Sequence, residues 1–343
     1  MTSAFESVPR TIEQLLDPTW LAWALDDIAV DDEIISVDRF GDSKTIAEKV
    51  RFAVTVTDRV GGSRTRSYCV KGHFDGGPDT LRPEAHFYGE LAPRVGVRTP
   101  RAYYTGIDES AGRALVVMDD VTGIGGHFLD AHQPYPVETV RSSLDQLAVL
   151  HAATWDDPVP TGCEWLRPKM TDMAARFPAD VLQSLLDDGR ADGLPVELRD
   201  GERLHAALLA TAALPHTSVI HGDTHSGNVY LDADGRACWL DWQVIQPGHW
   251  AVDVAYHLST VLDIDTRRAH EVELLRWYLD RLAAHGGQPP DWDDAWNSYT
   301  AGFAHGYFLW TITRISSRAV VLIHVPRIGA ALNDHDTFHR LGV

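Results

Sequence analysis

The first third of the chain alternates apolar and polar residues with the period of β-strands. Residues 34–56 contain two such runs around a polar turn, and residues 66–71 form a third. Two more apolar runs follow within residues 95–121, separated by a break at residues 108–112. Before the first run, residues 11–25 place apolar side chains near helical spacing. The pattern predicts a small, mostly antiparallel β-sheet preceded by short helices.

The rest of the chain has mainly helical periodicity. Residues 137–155 form a long amphipathic segment, and residues 156–217 resemble helices interrupted by Pro and Gly. Near the C-terminus, aromatic residues recur every three or four positions, which indicates one broad stripe on helices. We expect this stripe to be mainly core, and part of it remains open as the lining of a ligand site. Its members are Trp292, Trp296, Tyr299, Phe303, Tyr307 and Trp310.

One stretch combines a predicted hairpin with polar residues at informative positions. Residues 219–243 read VIHGDTHSGNVYLDADGRACWLDWQ, in which two β-prone runs flank the turn signal DADG. Asp223 and Asn228 precede the hairpin, and Asp241 follows it. Because the second strand returns towards the first, the three oxygen-bearing side chains are expected to converge. Such a set suits Mg²⁺, which binds through a few carboxylates together with substrate phosphates.

Two other interpretations of this stretch stay open from the sequence. Asp and Asn favour turns, and these residues could only cap them, although the hairpin and the second acid then remain unexplained. The spacing of His221, Asp223 and His225 could also bind Zn²⁺. Against zinc, Gly222 and Gly227 interrupt any strand there, and no further cluster of His or Cys completes the site.

The compound pattern matches a known catalytic layout. His-x-Asp-x-x-x-x-Asn, a short hairpin and then Asp is the arrangement of the protein-kinase catalytic loop and metal-binding Asp. Here the first part is HGDTHSGN, and the second is Asp241-Trp242-Gln243 in place of Asp-Phe-Gly. In this form the chain resembles the aminoglycoside phosphotransferase and choline kinase-like superfamily. The Asp-Trp-Gln ending looks most like its ecdysteroid-kinase-like branch of small-molecule kinases.

The resemblance implies an α+β fold that is bilobal and protein-kinase-like. Its N-lobe would be a small, mostly antiparallel β-sheet with a helix, and its larger C-lobe would be mainly helical. The expected boundaries are residues 1–118 for the N-lobe, 119–126 for the hinge and 127–343 for the C-lobe, which would hold the catalytic loop and the acceptor pocket. The glycine-rich residues 123–126 are consistent with a flexible turn at the hinge.

The resemblance also assigns roles around the catalytic loop. Asp223 would orient and deprotonate the acceptor hydroxyl, while Asn228 and Asp241 would hold Mg²⁺ across the nucleotide phosphates. Asp253 occupies the place of an Asp that usually braces the catalytic loop through backbone hydrogen bonds. His151 is interpreted as a core histidine whose hydrogen bonds are satisfied inside the protein.

Further residues would bind the nucleotide by the same resemblance. Lys71, which ends the third apolar run, would pair with the α- and β-phosphates, with Glu84 as its acidic partner and Glu90 as the alternative. Ser43 lies in the turn between the first two runs and would touch the β- or γ-phosphate. Adenine would lie against the apolar run before the hinge and bond backbone atoms around Met118, Asp119 and Val121.

Composition and charge narrow the class of protein. The chain has 343 residues, 44% hydrophobic and 23% charged, which is ordinary for a globular protein of two lobes. Its formal net charge of −19, from 49 acidic and 30 basic residues, argues against nucleic acids and anionic membrane surfaces as partners. The global charge is compatible with a cationic or neutral substrate, although simple solubility explains it equally well.

The expected location is the cytoplasm. The three cysteines are far apart and odd in number, which indicates a reducing compartment. No apolar run approaches the ~20 residues that span a bilayer. Residues 1–16 also lack the basic and apolar regions of a signal peptide.

These observations predict an enzyme that transfers phosphate from ATP, with Mg²⁺, to a hydroxyl of a small molecule, and they leave GTP open. A non-catalytic nucleotide-binding protein of the same fold and a protein kinase are the alternatives. The protein-kinase alternative is disfavoured because Asp-Phe-Gly and Ala-Pro-Glu segments are missing. Only about 16 residues also separate Asp241 from His257, too few for a long activation loop. The sequence indicates neither the acceptor nor the oligomeric state, although the aromatic stripe favours lipophilic alcohols.

Overall fold

A five-stranded antiparallel sheet forms the N-terminal part of the computed structural model, which describes residues 8–44, 47–74, 80–130 and 132–343. The strands lie in the order β1-β2-β3-β5-β4. Neighbouring residues of β2 alternate between buried and partly exposed positions, as the period-two pattern predicts. The strands are β1 (Glu33–Lys44), β2 (Glu48–Thr57), β3 (Ser63–Gly72), β4 (Ala102–Asp108) and β5 (Arg113–Asp119).

Short helices pack on this sheet. The predicted leading helices are α1 (Ile12–Leu15) and α2 (Pro18–Ala24). Asp17 caps α2 by accepting hydrogen bonds from the backbone of Thr19 and Trp20, with Pro18 at the first helical position. Trp20 and Leu21 are buried in the core that α2 shares with β2 and β3. After β3, α3 (Arg82–His86) continues through a π-helical turn, Phe87–Leu91, into α4 (Ala92–Val95).

Helices make up most of the chain after β5, as the sequence predicts. Two small sheets interrupt them, in the orders β6-β8-β9 and β10-β7. The strands are β6 (His127–Phe128), β7 (Ser218–Ile220), β8 (Val229–Leu231), β9 (Ala237–Trp239) and β10 (Gln246–Gly248). The helices are α5 (Val137–Ala153), α6 (Met170–Arg176), α7 (Ala179–Leu185), α8 (Gly201–Ala212), α9 (Trp250–Val261), α10 (Ile264–Ala284), α11 (Trp292–Ala301), α12 (Phe303–Ile312), α13 (Arg318–Asp334) and α14 (Thr337–Arg340).

The helix α9 is the centre of this helical part. Every one of its residues is buried, and α5, α10, α11, α12 and α13 all contact it. Its mostly apolar sequence permits burial on all sides, because no face is reserved for water. The expected α+β class, with a sheet-containing N-terminal part and a helical C-terminal part, is confirmed. The boundaries at residues 118 and 126 stay a prediction.

The aromatic stripe belongs mainly to the core, as expected. It is divided between α11 and α12, and four of its members are buried: Tyr299, Phe303, Tyr307 and Trp310. In the part of the chain that the structure describes, no helix combines the length and apolar character needed to cross a membrane.

Candidate active site

The loop between β7 and β8, residues 221–228, is held in place by a buried carboxylate. Asp253 of α9 accepts hydrogen bonds from the backbone N–H of His221 at 2.7 Å and of Gly222 at 2.8 Å. His151 Nε2 lies 3.1 Å from the same carboxylate. Burial alone would raise the pKa of Asp253, but His151 and the backbone donors lower it below its usual value. Asp253 therefore braces the loop as an anion, and His151 is a core histidine, as both were interpreted.

Gly222 is required by the backbone of this loop. Its φ is +81°, and a Cβ atom there would lie 2.5 Å from the carbonyl oxygen of Val244. Both conditions favour glycine. Other residues are strained at positive φ, and the backbone of Val244 could move away from a Cβ atom only at a large cost in energy. The buried His305 Nε2 lies 2.7 Å from the carbonyl oxygen of Gly222, so the loop is also held from α12.

Asp223 and Asn228 contact each other at the two ends of the loop. Asn228 Nδ2 donates to the backbone oxygen of Asp223 at 2.8 Å and to its Oδ2 at 3.2 Å. Tyr256 donates its hydroxyl to Asp223 Oδ1 at 3.0 Å, and burial raises the pKa of Tyr256 well above its ordinary value. The amide orientation leaves the Oδ1 atom of Asn228 free of these two bonds. The Asp223 side chain keeps about 24% of its surface exposed, so an incoming molecule can reach it.

Asp241 connects the hairpin to the N-terminal sheet. Lys71 of β3 donates to Asp241 Oδ1 at 2.8 Å and lies 2.6 Å from Glu84 Oε2 on α3. Burial would raise the pKa of Asp241, but the cations of Lys71 and Lys49 lower it to about 2. Asp241 has φ +66°, a left-handed conformation that Asp tolerates better than most residues. The pairing of Lys71 with Glu84 that the family resemblance implied is present.

His221 ties the loop to the strand that leads to Asp241. Its Nδ1 accepts a hydrogen bond from the backbone of Asp223 at 3.2 Å, and its Nε2 donates to the carbonyl of Leu240 at 3.0 Å. Both ring nitrogens are therefore engaged, which leaves none for a metal. Within the described ranges, no three His, Cys, Asp or Glu side chains are placed to hold a metal ion. His221 is therefore not available as a zinc ligand in this arrangement, which gives the zinc interpretation no support.

A cavity of about 380 Å³ lies between the sheet and the hairpin. Lys71, Glu84 and Asp241 line one end, and the segment around Met118 to Val121, where adenine was expected, lines the other. Ser43 belongs to β1, but its side chain falls outside the described residues, so its predicted phosphate contact stays a prediction. The remaining lining residues are Gly41, Asp42, Lys49, Arg51, Cys69, Pro100, Thr122, Phe128 and Leu240.

The two acidic residues at the end of β5, Asp119 and Asp120, fix the wall of this cavity. Asp119 accepts hydrogen bonds from Arg66 at 2.9 Å and from the Tyr103 hydroxyl at 2.8 Å. Asp120 forms a bidentate pair with Arg51, with distances of 3.0 Å and 2.9 Å. Both carboxylates are thus engaged with protein cations, and backbone groups of the same segment are what remains to bind a base.

Sequence reasoning missed several residues of the site. Lys49 and Arg51 line the cavity from alternate positions of β2, a signal that period-two analysis of this strand could have detected. Tyr256 and His305 could not have been found in this way. They reach the loop only because α9 and α12 pack against it.

Aromatic and imidazole groups surround the outer side of Asp223. His225 Nε2 lies 3.6 Å from Asp223 Oδ2, and its ring centroid is 5.3 Å from that of Trp310. Trp310 also contacts the ring of His324 at 4.2 Å, and His324 Nε2 lies 3.2 Å from the Ser226 hydroxyl. One member of the aromatic stripe, Trp310, therefore reaches the loop of residues 221–228.

One protein-family profile matches most of the chain. The profile described as Phosphotransferase enzyme family matches residues 51–295, which is more than half of the chain and includes the loop, the hairpin and Lys71. The chain belongs to the phosphotransferase enzyme family. This membership confirms the expected superfamily and the expected enzyme class, a phosphotransferase with an alcohol group as acceptor. The ecdysteroid-kinase-like branch stays a prediction.

Solved structures share the fold of this phosphotransferase at low sequence identity. An ethanolamine kinase from Plasmodium vivax has 10% identity and a TM-score of 0.53, over 98% of this chain and 92% of that chain. A choline kinase from Cryptosporidium parvum Iowa II has 9% identity and a TM-score of 0.53, over 97% and 95%. A comparison with curated protein sequences gives no match. At these identities the likeness concerns the fold alone.

Proposed function

We propose that this phosphotransferase is a kinase that uses ATP and Mg²⁺ to phosphorylate a hydroxyl of a small molecule. The observation that carries the proposal is the contact of Lys71 with both Glu84 and Asp241 across the cavity. It places a cation from the sheet and a carboxylate from the hairpin at the same end of a space large enough for a nucleotide. Positioning and charge neutralisation are the main tasks in phosphoryl transfer.

The residues present fit a bound Mg²⁺. Asp241 is held as an anion, and the Oδ1 atom of Asn228 is free of the bonds that its amide nitrogen makes to Asp223. Oxygen donors of this kind are the ligands that Mg²⁺ prefers. When bound, the ion would supply positive charge to the phosphates. Asp241 and Asn228 are the residues that would hold it.

Asp223 is the proposed general base. Tyr256 and Asn228 each donate a hydrogen bond to its carboxylate, which fixes the orientation of the side chain. About 24% of the side chain is exposed, which leaves room for an acceptor hydroxyl to approach. Asp223 would orient this hydroxyl and accept its proton.

The proposed acceptor class is a lipophilic alcohol. The side chains beside Asp223 are aromatic or imidazole groups, with Tyr256 and His225 in contact and Trp310 and His324 behind them. Burial lowers the pKa of His324 to about 2, so this side chain is neutral at physiological pH. Tyr256, Trp310 and His324 are buried, so the support for this class is the uncharged, aromatic character of the packing behind Asp223 and His225. Such surroundings favour apolar molecules that present one hydroxyl.

Asp223→Asn tests the proposal. In a screen of hydroxylated compounds with labelled ATP and Mg²⁺, the substitution should lower kcat by about 10²–10⁴-fold, the usual contribution of general-base catalysis. Affinity for Mg²⁺ and ATP should stay nearly normal, whereas Asp241→Asn should weaken it severely. Asp234→Asn is the matched control, since it makes the same change at an exposed position of the hairpin turn.

Three results would contradict the proposal. The first is a wild-type protein that binds neither ATP nor GTP in the presence of Mg²⁺. The second is an Asp223→Asn protein that phosphorylates its acceptor at the normal rate. The third is Mg²⁺ and nucleotide binding by wild type without either hydrolysis or transfer, which would favour the non-catalytic alternative.

A further inference from the structure

Lys49 faces the cavity next to the lysine already assigned to the phosphates. It lies on β2 directly opposite Lys71 of β3, and Arg51 lies opposite Cys69 in the same register. Directly opposed residues of an antiparallel pair project to the same face of the sheet. All four side chains accordingly line the cavity.

The charges on the cavity wall are paired, with one exception. Each carboxylate there has a cationic partner: Asp42 has Arg39, Asp119 has Arg66, Asp120 has Arg51, and Lys71 serves both Glu84 and Asp241. The ammonium group of Lys49 makes no hydrogen bond or ion pair with any other residue that the structure describes. Because Lys71 serves two carboxylates, these five carboxylates are balanced in charge only when Lys49 is counted with the four cations. Lys49 nevertheless touches none of the carboxylates, so its ammonium group is available to contact an anion that enters the cavity.

The position of Lys49 along β2 indicates which part of a nucleotide it meets. Arg51 is bonded to Asp120 at the hinge end of the cavity, where a base would lie. Lys49 is two residues further from the hinge, about 7 Å along the strand. It lies at the end that contains Lys71 and Asp241, and its charge contributes to the lowered pKa of Asp241.

We infer that Lys49 is a second phosphate-binding cation of this phosphotransferase, which contacts the β- and γ-phosphates of a nucleoside triphosphate. The inference rests on the proposed function, because it presumes that a nucleotide occupies the cavity. It adds a residue that the catalytic-loop pattern does not specify. Arg51 is excluded from this role because Asp120 holds its guanidinium.

Binding of ATP, ADP and AMP with Mg²⁺ to three proteins tests the inference. The proteins are wild type, Lys49→Met and Arg59→Met, compared by isothermal titration at low salt without acceptor. Methionine keeps an unbranched apolar stem and removes the charge. Arg59 is the matched control because it lies beyond the other end of β2, where it is exposed and pairs with Asp31.

The inference predicts an effect that depends on the number of phosphates. Lys49→Met should weaken ATP binding by about tenfold or more, the usual cost of losing a charge-assisted hydrogen bond, and should leave AMP binding nearly unchanged. The loss of affinity for ADP should lie between the losses for ATP and AMP. Lys49→Arg should restore part of the ATP affinity, and Arg59→Met should bind all three nucleotides as wild type does.

The possible failures are distinguishable. If wild type binds ATP and Lys49→Met binds it equally well, the inference is wrong and the proposed function stands. An equal loss for ATP, ADP and AMP would also overturn it, since only a structural role for Lys49 would weaken all three alike. If wild type binds none of the nucleotides, the proposed function fails, and the inference fails with it.

Discussion

The buried carboxylate of Asp253 shows how a single residue can hold the loop of residues 221–228 in place. It accepts hydrogen bonds from two backbone N–H groups of the loop and lies beside His151. A carboxylate has enough acceptor sites for all three donors, whereas an amide has one oxygen and one NH₂ group. The charge at this position is therefore a structural requirement.

Asp253→Asn should destabilise the protein and lower kcat. At least one buried N–H would face the new amide NH₂ group, and leaving such a donor unsatisfied costs about 1–3 kcal/mol. Urea unfolding and steady-state kinetics measure the two effects. Asp263→Asn is the control, because Asn caps helices equally well and the Thr266 hydroxyl, which donates to the second oxygen of Asp263, can instead accept from an amide NH₂ group. Equal behaviour of the two variants would contradict the bracing role.

At the scale of elements, the close packing of α12 on α9 positions the proposed base. Gly306 of α12 lies against the ring of Tyr256, and a Cβ atom there would be 2.4 Å from Cδ2 of this ring. Tyr256 in turn donates to Asp223. Because the ring is rigid and buried, a larger residue at position 306 would displace it together with the hydrogen bond.

Gly306→Ala should therefore lower kcat as well as stability. Overpacking of this kind typically costs about 1–3 kcal/mol. Gly329→Ala is the matched control: its Cβ would meet Leu194 at 2.5 Å, away from the loop, where a flexible side chain can move. Kinetics of the folded fraction should show a loss only for Gly306→Ala. Normal turnover by that variant would separate Tyr256 from the function of Asp223.

For the whole molecule, buried histidines determine how stability depends on pH. Burial lowers the pKa of His257 and of His249 to about 4, from the ordinary 6.5. Between these values the unfolded chain binds protons that the folded chain does not. The contribution of these two histidines to the free energy of unfolding is thus complete above pH 6.5, and it is lost as the pH falls towards 4.

The free energy of unfolding should accordingly decrease between pH 7 and pH 5, by roughly 2 kcal/mol at pH 5 from His257 alone. Urea unfolding at a series of pH values measures this. In His249→Asn an amide oxygen replaces the Nδ1 atom that caps α9, and one titrating group is removed. The slope of the free energy of unfolding against pH, between pH 5 and 6, should therefore fall by the equivalent of about one proton. A stability that is constant from pH 7 to pH 5 would refute the prediction.

The local pattern of residues was sufficient to predict the strands of the N-terminal sheet, the hairpin of β8 and β9, and the helical character of the C-terminal part, while the pairing of Lys71 with Glu84 was predicted from the family resemblance. Strand alternation, helix caps and the hairpin turn act over a few residues, so they can be recognised in the chain itself. The spacing of Asp223, Asn228 and Asp241 could be recognised for the same reason, because one loop and one hairpin contain all three. Their catalytic roles stay predictions until the variants are measured.

Only the tertiary structure decided which distant groups complete the site. The contacts of Tyr256 and His305 with the loop, and the approach of Trp310 to His225, depend on how α9 and α12 pack. The same holds for Lys49, whose significance appears when β2 lies beside β3 and the charges around the cavity are paired. Packing between segments far apart in the chain creates these contacts, and a local pattern carries no record of it.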